Sequence, residues 1–264
     1  MDSVRAKFTR AKKYANEAKS LCDLIADNTK ADIRTSTDSD PTILEIYLAE
    51  DVKIPFELGT IIGDCLGNIR SAFDHLAWKL VILDGGKPNR YTQFPIYSIR
   101  PNNGINGLIK PSIRNQDILI ALEASQPYSN ANGYENDQLW FVNEMCKIDK
   151  HRFPILDVAV VDIEKTFWTL PNGIESPSVK VSRMPIQNGS RLATFDFHGI
   201  EVPKDFIAQV PIAVIINDAG KRWSDKQNAG SFMLGLTDIL RNRVQELFYE
   251  FFPNEAPLWL PYNT

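Results

Sequence analysis

Between Pro55 and the Gly85, Gly86 pair, the sequence places Gly59, Gly63, Gly67, Ser71 and His75 at intervals of four. In the same window Leu58, Ile62, Cys65, Ile69, Ala72, Phe73, Leu76 and Leu80 fall on one side of a helix turning about 100° per residue. That side is predicted core. The opposite ridge is the stronger constraint, because each glycine inside a helix costs about 0.5–1 kcal/mol relative to alanine. Three on one line imply that another backbone comes close, from a helix of the same chain or from a second subunit. A bend, or a later helix start, would be the other use of those glycines. Asp84, Gly85, Gly86 and Pro88 form the stop signal.

A second long amphipathic helix is predicted over residues 3–28, from Val4, Phe8, Ala11, Ala15, Ala18, Cys22 and Ile25 at spacings of three and four. Residues 28–40 (NTKADIRTSTDSD) read as a connection. PTILEIYLAED then alternates like a strand, with Ile43, Glu45 and Tyr47 opposite Leu44, Ile46 and Leu48. Residues 89–115 are rich in Pro, Asn and Gly and are expected to loop over the surface. A short helix is predicted over about 116–124 and a third substantial one over about 137–151. Beyond Phe153 the period changes to two, in ILDVAVVDI, PSVKVSRM, RLATFDFHGI and VPIAVIIND, with turns at 170–173 and 186–190. A last amphipathic helix carries Phe232, Leu236, Ile239, Leu240, Val244, Leu247 and Phe251 on one face. The predicted class is α+β: an N-terminal helical bundle layer (residues 1–152), then an antiparallel β-rich region with a C-terminal helix (153–264), packed as one unit.

Over 264 residues, 44% hydrophobic and 23% charged residues suffice for a full core. A net charge of −4 gives no general attraction to nucleic acid or anionic membrane, so such a partner would have to meet a local basic patch. The apolar runs are too short to span a bilayer and the first residues lack an apolar signal region, so a cytoplasmic protein without membrane attachment is expected. Cys22, Cys65 and Cys146 lack metal-ligand spacing and read as reduced, buried residues. Walker, G-x-S-x-G, HExxH and CxxC patterns are absent, and neither metal nor cofactor is expected.

The polar residues of GNIRSAFDHLAW carry the functional interest. Arg70 and Asp74 are four apart and pair along a helix. Asn68 and His75, seven apart, lie on nearly one meridian. In LWFVNEMCKIDKHR, Asp149 falls on the apolar stripe of its helix and needs a cation or hydrogen-bond donors. Lys150, His151 and Arg152 follow it. If the two helices pack together, Arg70 and His75 are expected to meet the end carrying Asp149 in one shared cavity. A structural ion pair and a basic helix terminus are the alternative reading of the same residues.

Arg70-Ser71-Ala72-Phe73-Asp74-His75, an Arg-x4-His motif within a helix, resembles the signature of the HEPN superfamily, covering at most residues 1–152. More loosely, LGNIRSAFDHLAW and the Asp-Lys-His-Arg helix are similar to a group of uncharacterised bacterial proteins. The HEPN resemblance implies a metal-independent endoribonuclease, a toxin or defence effector, with His75 as general acid or base and Arg70 holding the scissile phosphate. It also implies pairing of two copies, here through the Gly59, Gly63, Gly67, Ser71 face. The β-rich half, the acidic net charge and the insertion at 85–115 depart from the family.

Three functions therefore compete: a module that binds a phosphorylated ligand, nucleotide or RNA in an Arg/His/Asp groove; the ribonuclease; and a purely structural polar cluster. Arg70 and His75 are the catalytic candidates. Asn68, Asp74, Asp149, Lys150, His151 and Arg152 are the supporting ones. Six Lys and Arg in the first twenty residues offer a local patch for a phosphate backbone.

Overall fold

A computed structural model describes the chain apart from residues 30–32, 38–39, 103, 106–108, 110, 153, 155, 161–166, 170–174, 183–185, 219–220, 223–227 and 261–264. The described residues form an α+β structure. Its helices are α1 (Asp2–Thr29), α2 (Phe56–Leu83), α3 (Gln116–Ala124), α4 (Gln138–Asp149) and α5 (Ala229–Phe248). Its strands are β1 (Ile33–Ser36), β2 (Ile43–Leu48), β3 (Leu156–Val160), β4 (Phe167–Thr169), β5 (Ser178–Val181), β6 (Arg191–Asp196), β7 (Ile207–Gln209), β8 (Ile212–Asp218) and β9 (Lys221–Arg222). No described helix is long and apolar enough to cross a membrane. The chain divides into two compact units. One comprises residues 1–17, 60–154 and 233–264, and the other residues 18–59 and 155–232.

In the helical unit the predicted stripes are the buried ones. Ile62, Cys65, Ile69, Ala72, Phe73, Leu76 and Leu80 of α2 are fully enclosed, as are Val4, Ala11 and Ala15 of α1. Phe8, Phe73, Phe94 and Phe248 form a chain of edge-to-face rings, with centroids 6.1, 5.0 and 6.0 Å apart in turn. Such pairs add about 0.5–1.5 kcal/mol beyond the area they bury. Cys65 Sγ lies 3.3 Å from the Ala11 carbonyl and 3.7 Å from Thr237 Oγ1, so the last helix returns to the first layer here. On α5 the expected face is rotated: Met233 and Phe248 are enclosed, Ile239 is exposed, and Leu247 and, just beyond the helix, Phe251 are only partly buried.

The end of α2 follows the stop signal. Gly85 takes φ +78°, and the Gly86 and Asp84 amides donate to the carbonyls of Val81 and Leu80. The segment that follows corrects an expectation. It has little regular structure, yet Phe94, Ile105, Ile109 and Ile113 are buried rather than laid over the surface. Their irregular spacing carries no periodic signal. At the start of α4, Asp137 caps Leu139 N at 2.8 Å and Trp140 N at 3.3 Å. Its two carboxylate oxygens also accept from Arg243 of α5 at 3.0 and 2.9 Å.

The β-rich unit is antiparallel throughout its described pairings. One sheet runs β1-β2-β6-β5, a second β3-β8-β9, and β4 pairs with β7. Leu44, Ile46 and Leu48 point into a core with Val158, Val160, Leu192, Phe195 and Phe197. On the other face of β2, Glu45 accepts from Arg191 Nη1 at 2.5 Å and from Tyr47 Oη at 2.7 Å. β1 lies inside the stretch read as a connection, where its IRTS sequence is too short and polar to alternate visibly. In the same unit Gly230 meets the backbone of Lys19 so closely that a methyl group there would overlap it. The turn predicted at 170–173 lies outside the described residues.

Candidate functional site

The Arg-x4-His segment sits in the middle of α2, within the helical unit. Arg70 and His75 are five residues apart, about 140° around the helix axis, so their side chains leave it in different directions. The shared cavity expected from the sequence is therefore two hollows.

The first hollow, about 400 Å³, gathers Arg70, Asp74, Gly67 and Ser71 of α2 with Cys146, Lys147 and Asp149 of α4 and with Lys150 just beyond it. Here the expected approach of the two helices is present. The Asp149 carboxylate lies against Gly63, where any side chain would overlap it. The small-residue ridge is thus used within the chain at Gly63. At Gly67 the expected close contact is missing: a methyl group would meet nothing within 4 Å.

The guanidinium in this hollow is already engaged. Arg70 Nη2 donates to the Phe94 carbonyl at 3.0 Å and lies 3.1 Å from Asp74 Oδ1, which accepts from the Phe94 amide at 2.9 Å. The ion pair therefore grips both polar groups of one residue whose ring belongs to the core. Arg70 Nη1 is buried without a partner. Burial pushes the Asp74 carboxyl above its ordinary range, and Arg70, the Phe94 amide, His75 and Lys150 only partly offset this. Asp149 is also raised, by burial and then by repulsion from Asp64, and it pairs with no described cation, Arg70 and His75 included. Lys147 is spent on Glu144 at 2.6 Å.

The second hollow, about 610 Å³, holds His75 and Asn68 of α2 with Ser3, Lys7, Arg10 and Tyr14 of α1. Asn68 Nδ2 donates to the Asp64 carbonyl at 2.8 Å, which leaves the amide oxygen for other partners. Arg10 donates to Tyr14 Oη at 3.2 Å and stands 5.4 Å from that ring's centre. Neither Lys7 nor Arg10 forms an ion pair with a described residue. Among the described residues no carboxylate lines the hollow. His75 is held below the ordinary histidine range by burial and then by Lys7, with Asp74 acting the other way. The neutral imidazole is thus favoured near neutral pH, with one nitrogen able to accept a proton.

His151 and Arg152 line neither hollow. Both are exposed in the turn that closes α4, their amides donating to the Ile148 carbonyl at 2.9 and 3.0 Å. The thiols are poor nucleophiles, since burial raises Cys146 and Cys22 to about 11 and Cys65 to about 12. Among the described residues no group of three or more His, Cys, Asp or Glu gathers to hold a metal ion. Lys7, Arg10 and Tyr14 are the residues that sequence reasoning did not single out; their signal was the basic run of the first helix. No family model, curated protein or solved structure matches the chain.

Proposed function

We propose that the protein binds a phosphorylated ligand in the hollow of Lys7, Arg10, Asn68 and His75. The observation that carries the reading is charge: two cations with no described counter-ion stand beside a half-buried imidazole, in a concavity that no described carboxylate lines. A phosphate group would replace the missing counter-ions and accept from Lys7 and from the guanidinium of Arg10. Tyr14 offers a ring face against which a nucleobase stacks, which favours a nucleotide over a bare phosphate. The Arg70–Asp74 pair lies outside this hollow and holds the Phe94 peptide, whose ring packs on Phe73 of α2. A homodimer through the α2 ridge would have to use Gly67 and Ser71, since Gly63 is covered by Asp149 of the same chain.

Isothermal titration of the full chain with AMP at low ionic strength tests this. Saturable binding is expected, weakened roughly tenfold or more in Lys7→Ala/Arg10→Ala and by raised salt. Binding that is unaltered in the double variant would refute the site. The downward shift of the His75 pKa by burial and Lys7 favours a second reading, metal-independent RNA cleavage with His75 as general base and Lys7 or Arg10 on the phosphate. A short single-stranded RNA incubated in EDTA should then be cut by the wild type and about 10²- to 10⁴-fold more slowly by His75→Ala. Equal rates would remove the imidazole from the chemistry.

A further inference from the structure

A different concavity on the helical unit has the make-up of a small-molecule site. The last described residues do not trail away. The Leu258 amide donates to Gln245 Oε1 of α5 at 2.9 Å, the Leu260 amide closes a turn onto the Pro257 carbonyl at 3.2 Å, and Glu255 binds Lys79 at 3.1 Å. Leu258 is buried by this arrangement, yet the turn holds Trp259 58% exposed and Leu260 45% exposed. Side by side they form one wall of a hollow of about 480 Å³ whose floor is Phe8 and Leu258.

Its other wall is cationic. Lys12 Nζ and Arg241 Nη2 both reach Asp238, each at 3.1 Å, so two positive charges share a single negative one. Lys13 adds a third cation without a described ion-pair partner. The hollow therefore combines an exposed indole and aliphatic surface with two positive charges that no described carboxylate offsets. Water solvates the apolar wall poorly, and the three cations share one described carboxylate, that of Asp238. A ligand with an apolar body and one anionic group satisfies both conditions together.

The geometry points to a binding site for a hydrophobic organic anion, an aromatic or aliphatic carboxylate, between Trp259 and the Lys12, Lys13, Arg241 wall. The body packs on Trp259 and Leu260, and the carboxylate faces Lys13 and the Lys12–Asp238–Arg241 bridge. The site is independent of the hollow at His75 and does not need that reading to hold.

Three probes separate the contributions by calorimetry on the full chain: 2-naphthoate, its uncharged isostere naphthalene-2-carboxamide, and acetate. Naphthoate should bind saturably at one site, with the carboxamide and acetate each weaker by roughly tenfold or more. Trp259→Ala and Lys13→Glu both change exposed side chains, so far-UV circular dichroism should be unchanged while naphthoate affinity falls by at least about tenfold. His75→Ala should leave it unaltered. Equal binding of naphthoate and the carboxamide would overturn the proposal, since the wall would then be a plain apolar face. So would absence of naphthoate binding, or naphthoate affinity retained in both Trp259→Ala and Lys13→Glu.

Discussion

Asp137→Ala removes the most connected carboxylate described in the helical unit. Asp137 is 2% exposed, caps two amides of α4, and receives both terminal nitrogens of Arg243, whose side chain is 19% exposed. Loss of an N-cap costs about 1 kcal/mol. A guanidinium stranded by removal of its buried partner costs about 3–5 kcal/mol, and partial exposure of Arg243 reduces this to about 2–3. The expected total is about 3–4 kcal/mol. Asp137→Asn keeps a cap acceptor and loses the charge, so it should cost about 1 kcal/mol less. A cycle with Arg243→Met should return a coupling of about 2 kcal/mol. Urea unfolding followed by circular dichroism gives the totals. Hydrogen exchange at the Leu139 and Trp140 amides gives the cap alone, and should quicken in Asp137→Ala but hardly in Asp137→Asn. A loss below about 1 kcal/mol for Asp137→Ala, or equal losses for the two substitutions, would refute this account.

Gly230→Ala should destabilise by about 1–3 kcal/mol in thermal unfolding, because the Lys19 backbone cannot yield as a side chain can; Gly235→Ala, with open space around it, should gain about 0.5–1 kcal/mol. Gly67→Ala should likewise stabilise the monomer by up to about 1 kcal/mol, and a shift from dimer to monomer in light scattering would expose a role for that ridge between copies. Because the folded chain holds His75 below its unfolded value, protonation opposes folding, and this histidine's contribution is lost as pH falls from the ordinary histidine range through the lowered one. A bound phosphate reverses that shift. AMP binding measured in two buffers of different ionisation enthalpy should show proton uptake near pH 6.5 that vanishes in His75→Ala.

The helices were legible because their burial is periodic. Each apolar residue of the α2 stripe in the helical unit, from Ile62 to Leu80, announces its own side of the cylinder. Phe94 was not legible, since a loop residue anchored by its ring has no neighbour at a fixed spacing to mark it. The grip of Arg70 and Asp74 on Phe94 was hidden for a deeper reason: its targets are a peptide N–H and C=O, which every residue other than proline carries. The Asp137–Arg243 pair joins positions 106 apart, and no local pattern encodes such a meeting. The expected approach of the α4 end to α2 is present at Asp149, which lies against Gly63. Assigning Arg70 and His75 to one cavity failed because five residues of helix turn the two side chains away from each other.

The bond between Arg70 and the Phe94 peptide gives the Arg-x4-His segment the duty of a fastener, whatever else it does. Substituting that arginine should weaken the hold on the Phe94 peptide and loosen the loop there. Any assay of biological output alone would record this as lost chemistry. Only a variant that stays folded, with Phe94 still seated, can distinguish a broken clasp from a missing reagent.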